Sequence, residues 1–142
     1  MIVLKSDQLN VEFQTLGGAL SSIKDKDDVE YLWQGDPTYW SGQAPVLFPI
    51  CGSVRNDTVL YDNEDGSQKE GKIPRHGLVR KKEFTLVEQT DNSVTFAIED
   101  DEEMYANYPY HFRLEITYTV TGKTIRTQYK IYNKEAEKSM PY

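Results

Sequence analysis

FRLEITYTVTGKTIRTQYKI, residues 112–131, decides how this chain folds. Phe112, Leu114, Ile116, Tyr118 and Val120 recur at every second position, with arginine, glutamate and threonine between them. Successive side chains of a strand point to opposite faces. Period two therefore marks a strand with one buried face, whereas a helix needs apolar residues three and four apart. Thr121-Gly122-Lys123 interrupts the run, which resumes through Ile125, Thr127, Tyr129 and Ile131. The pattern predicts an antiparallel hairpin with its turn at Gly122.

The same rhythm governs the rest of the chain. Leu9, Val11 and Phe13 alternate with polar residues until Gly17-Gly18 breaks the run as a turn or bulge would, and Val94, Phe96 and Ile98 alternate again. No segment longer than ten residues carries a helical stripe; Glu102 to Asn107 has room for a turn or two. The expected fold is all-β: an antiparallel β-sandwich or barrel in a single domain, residues 1–142.

Two stretches depart from the alternation. Residues 34–57, QGDPTYWSGQAPVLFPICGSVRND, hold three prolines and three glycines around apolar residues, which reads as an ordered, partly buried loop system. Residues 62–77 are polar and glycine-bearing up to His76, and are expected to be a second loop. Binding sites are commonly built on such loops over a β scaffold. The acidic run Glu99–Glu103 reads as a solvated loop, without the ligand spacing of an EF-hand.

Sixteen basic against twenty-three acidic residues give a net charge of -7, and no Lys/Arg stripe offsets it. That balance argues against nucleic acid or an anionic membrane as partner. The single cysteine, Cys51, excludes an internal disulfide. With no signal-like N-terminus and no long apolar run, the expected location is cytoplasmic.

Two histidines bound the acid–base chemistry. His111 is out of phase with Phe112, Leu114 and Ile116, so it faces solvent. His76 lies in KIPRHGLVRKKEF, residues 72–84, beside Gly77, which lets a ligand or backbone approach closely, and near Arg75 and Arg80. An imidazole can donate or accept a proton near neutrality, so His76 is either a surface residue or the catalytic group. No histidine pair or thiolate set has metal-ligand spacing, and neither a nucleophile elbow nor a P-loop is present. Cys51, in the apolar run LFPICG, reads as a buried structural thiol. Trp33, Tyr39 and Trp40 fit either core packing or a stacking surface for a sugar.

LWQGDPTYWSGQAPVLFPICG, PRHGLVR, YPYHFRLEITYTV and the terminal IYNKEAEKSMPY occur in an order that resembles the aldose 1-epimerase (galactose mutarotase) family, its LacX-like branch in particular. The resemblance runs from about Leu32 to Tyr142. It implies a galactose mutarotase-like β-sandwich that binds a hexose and interconverts its α and β anomers. One group protonates the ring oxygen while another takes the anomeric hydroxyl proton. The opened chain rotates and recloses, and no cofactor or metal is needed because only protons move.

The resemblance also assigns residues. His76 matches the family's sugar-bonding histidine before glycine. Asn56 fits the sugar-binding Asn-Arg segment, with the arginine displaced to Arg55, and Arg80 fits the branch's H-G-x-x-R pattern. The family's second histidine follows Met-Pro-Tyr by a few residues, and its Asp and its base Glu come later. The expectation is therefore the N-terminal portion of a longer sandwich, inactive as an epimerase on its own and prone to self-association through exposed strand edges. The alternative is a non-catalytic carbohydrate-binding module.

Overall fold

A computed structural model describes residues 2–63 and 65–142. The described residues form nine strands, all paired antiparallel, and one short α-helix. β1 (Ile2–Lys5), β2 (Leu9–Gln14) and β3 (Ala19–Asp25) make one sheet in that order. β4 (Thr58–Asp62) and β5 (Gln68–Lys72) make a hairpin. β6 (Thr85–Gln89), β7 (Ser93–Glu99), β8 (Phe112–Thr121) and β9 (Thr124–Asn133) make a four-stranded sheet, and α1 (Glu102–Asn107) joins β7 to β8. No helix among the described residues is long and apolar enough to cross a membrane.

The β8–β9 hairpin is the one the alternation predicts. Thr121 pairs with Thr124 across a two-residue turn, and Gly122 takes φ 54°, a left-handed angle at no steric cost only for glycine. Phe112, Leu114, Ile116, Tyr118 and Val120 are all buried and form one wall of the core. Phe13 of β2 meets that wall, its ring 5.0 Å from Tyr118 and 6.2 Å from Phe96. The Tyr118 hydroxyl crosses between the sheets to donate to the Gly18 carbonyl at 2.9 Å. Each such side chain contributes about 1.5–3 kcal/mol by leaving water, so this inter-sheet face holds the sandwich together.

Residues 62–77 correct the expectation of a polar loop. They include β5, whose register with β4 runs from Thr58–Lys72 to Asp62–Gln68; Glu64, between the strands, lies outside the described residues. β5 carries almost no apolar side chain, so alternation cannot reveal it. It is held by its ladder and by Gly71, where a Cβ would collide with the Asn107 carbonyl. Under the hairpin lies an aromatic cluster of Tyr61, Tyr108, Tyr110 and Phe48. Burial, with Tyr110 alongside, pushes the Tyr61 phenol up to about 12.

α1 occupies the residues expected to manage a turn or two. The Asp101 carboxylate accepts from the Met104 N–H and caps the helix, so part of the acidic run Glu99–Glu103 starts a helix and only part is loop. Residues 34–57 contain no strand and form the expected ordered loop, with Val46 and Phe48 buried in the core.

Candidate functional site

The PRHGL segment is shaped by a turn of its own and by a contact with the proline-rich loop. The Gly77 N–H donates to the Pro74 carbonyl at 2.9 Å, closing a tight turn, and the Leu78 N–H donates to the Phe48 carbonyl at 2.8 Å. His76 and Gly77 take φ 72° and 81°. At Gly77 the angle is free, and a Cβ would collide with the Phe48 carbonyl, so only glycine fits. At His76 the angle costs on the order of 1–3 kcal/mol, a strain that persists only where the surroundings impose it.

The imposing contacts are on the next segment. The His76 N–H donates to the Gly52 carbonyl at 2.8 Å, and its Nδ1 lies 2.7 Å from the Cys51 carbonyl oxygen. A carbonyl only accepts, so Nδ1 carries the hydrogen, and in the neutral ring Nε2 keeps a lone pair. The Arg75 Nε donates to that Nε2 at 3.2 Å. The imidazole is thus half-buried, fixed in orientation and tautomer, with its basic nitrogen turned to the exposed Arg75 side. A nitrogen so presented can accept a proton or a hydroxyl hydrogen bond.

Cys51 is exposed, which corrects the expected buried thiol. The apolar run sends Val46 and Phe48 inward, and at Cys51 the backbone carbonyl is what the fold uses. Arg55 and Asn56 sit on a short 3₁₀ turn, Arg55–Asp57, with Asn56 at φ 55°. This turn is tied to the His76 segment through the Ile73 N–H, which donates to the Asp57 carbonyl at 2.8 Å. The two segments therefore run side by side, but no hydrogen bond joins the Arg55 or Asn56 side chain to His76 among the described residues.

Arg80 lies just past the His76 turn, lining a cleft of about 280 Å³ with Pro74, Gly77 and Leu78, and one of about 510 Å³ with Gln14, Trp40 and Gln43; His76 lines neither. Trp33, Tyr39 and Trp40 are 41%, 81% and 51% exposed, which decides against the core-packing reading. Glu30 anchors their loop: its Oε1 accepts from the N–H groups of Ile23 and Leu32, and its Oε2 accepts from the Ser22 hydroxyl. His111 is exposed, as its phase predicts, and is held by Asp100 Oδ2 at 2.7 Å and by stacking on Tyr105. The side chain that the turn brings onto His76 is Arg75. Adjacency to His76 was visible, but the hydrogen bond depends on the turn.

The family model for aldose 1-epimerase matches residues 1–142. The chain belongs to the aldose 1-epimerase family. It is 58% identical over 141 residues to the chromosomal protein LacX of Lactococcus lactis subsp. lactis, covering 99% of this chain and 47% of that protein. The plasmid LacX of the same organism is 57% identical with the same coverage. The chain thus spans about half the length of the curated relatives it matches.

Solved structures of aldose 1-epimerase type agree with the fold. A galactose mutarotase related enzyme from Lactobacillus acidophilus superposes with a TM-score of 0.88 at 29% identity, over 94% of this chain and 43% of that one. A galactose mutarotase-like protein from Lactobacillus casei ATCC 334 superposes with a TM-score of 0.88 at 28% identity, over 99% and 46%. The antiparallel galactose mutarotase-like sandwich read from the sequence is the fold of this chain.

Proposed function

We propose that the face around His76 binds a hexose and that His76 is a proton-transferring group for the interconversion of its α and β anomers. The observation that carries this reading is the strained, doubly anchored His76, whose basic nitrogen is held outward. Strain of this kind is kept where it serves a site. Family membership supports the chemistry: ring opening needs only a proton delivered to the ring oxygen and one taken from the anomeric hydroxyl, and needs no cofactor. Asn56 and Arg55, on the turn tied to the same segment, and Arg80, just past it, are the proposed sugar contacts.

One observation favours a second reading, a module that binds carbohydrate without turnover. The side-chain nitrogens of His76 touch a guanidinium and a carbonyl, and neither exchanges protons near neutrality. Among the described residues the other imidazole, His111, is engaged with Asp100 and Tyr105.

Polarimetry of freshly dissolved α-galactose, with a protein carrying this chain at the full length of its relatives, separates the two. Acceleration over buffer that falls about a hundredfold or more in His76→Ala supports the epimerase reading. Galactose binding without acceleration moves the conclusion to the binding module. Neither binding nor acceleration sinks both.

A further inference from the structure

Arg75 is the arginine that touches His76. A guanidinium has donors only, and in a protein with twenty-three acidic residues it ordinarily finds a carboxylate. Arg75 has no ion pair among the described residues. Its exposed side chain instead donates Nε–H to the lone pair of His76 Nε2 at 3.2 Å.

The donor sides of this pair are set by geometry. Nδ1 is committed to the Cys51 carbonyl, so in the neutral ring Nε2 accepts, and Arg75 can only donate. A donor fork and an acceptor side by side are the complement of a hydroxyl, the one common ligand group that gives and takes a hydrogen bond through a single atom. A carboxylate or a phosphate dianion only accepts; it would engage Arg75 and, against the neutral ring, set its own lone pairs against that of Nε2.

We propose that Arg75 and His76 form a clamp for one hydroxyl of a neutral sugar. The hydroxyl donates to Nε2 and accepts from the guanidinium, which swings off the ring as the ligand enters. One hydrogen bond in the free protein becomes two in the complex, one of them charge-assisted. This inference rests on the reading of the His76 face as hexose-binding. It adds Arg75 to the contacts.

The test is long-range ¹H–¹⁵N correlation of the His76 ring at neutral pH, with galactose as probe. The free protein is expected to show hydrogen on Nδ1 and a lone pair on Nε2. Galactose is expected to shift Nε2 without changing the tautomer, and inorganic phosphate at matched ionic strength to leave it unmoved. Arg75→Gln should weaken galactose binding roughly tenfold or more, the scale of a lost hydrogen bond to a charged group. Arg75→Lys should recover part of it, because a single ammonium replaces a fork. A galactose response of equal affinity in wild type and Arg75→Gln overturns the clamp and leaves the hexose site standing, as does a larger Nε2 response to phosphate than to galactose. No galactose response in the wild-type protein removes the hexose reading and the clamp with it.

Discussion

His76 Nδ1 sits 2.7 Å from the carbonyl oxygen of Cys51 while the His76 backbone is held at φ 72°. The two facts pull stability in opposite directions. His76→Gly relieves a left-handed angle costing a non-glycine residue about 1–2 kcal/mol and forfeits a hydrogen bond worth about 1 kcal/mol. It should leave stability within about 1 kcal/mol of wild type. His76→Val loses the bond and places a β-branched residue at positive φ, so it should be about 2 kcal/mol less stable than His76→Gly. Urea midpoints with unchanged slopes measure the difference. Equal stability of the two variants would mean the angle is not imposed.

Gly77 and Gly52 flank the same crossing and should respond very unequally to an added methyl. At Gly77 the angle is left-handed and the new Cβ meets the Phe48 carbonyl; at Gly52 no atom lies within 4 Å. Gly77→Ala should cost on the order of 3 kcal/mol, and Gly52→Ala about 0.5 kcal/mol or less. Calorimetric melting of both decides this. A mild Gly77→Ala would show that the Phe48–Gly77 contact yields easily.

Glu30 predicts an acid transition local to the aromatic loop. Burial alone would raise its carboxyl, but the Ser22 hydroxyl and the N–H groups of Ile23 and Leu32 outweigh burial and hold it below its usual value of 4.5. A folded value below the unfolded one gives stability that is present above pH 4.5 and lost as pH falls through the folded value. The chain's two tryptophans, Trp33 and Trp40, lie in this loop, so their fluorescence reports it. Emission should change on acidification below pH 4.5. In Glu30→Gln much of that change should already be present at neutral pH. An acid response identical in the two proteins would place the transition elsewhere.

What the sequence disclosed and concealed follows from which side chains meet water. Where one face of a strand is buried and the other wet, as in β8, alternation fixed both the strand and its face. β7 shows the limit: Val94, Phe96 and Ile98 are buried as read, but so are Thr95 and Ala97, whose modest hydrophobicity hides a second covered face. β5 shows the opposite limit, a strand held by its ladder with little to bury. At the site, the motif named His76, and the fold supplied what no spacing contains. The left-handed angle, the Cys51 carbonyl and the Arg75 bond all arise from a turn closing against a distant loop.

β9 carries the last prediction. Among the described residues it pairs only with β8, and its partner face is uneven. Ile116 and Leu114 are buried, yet the residues across from them are Tyr129, 55% exposed, and Ile131, half-buried. A ten-residue edge with an incompletely covered apolar face invites pairing with a second copy. Arg126 and Lys130 oppose this: a two-fold antiparallel pairing centred on Gln128 sets each against the other across the seam, like charges that destabilise the pair. Screening is nearly complete at that range once the Debye length falls to about 3 Å near 1 M salt. Self-association measured by light scattering should therefore rise with salt, and Lys130→Thr should raise it already at low salt. A monomer at every salt concentration, unchanged by Lys130→Thr, would show that β9 is not a pairing edge.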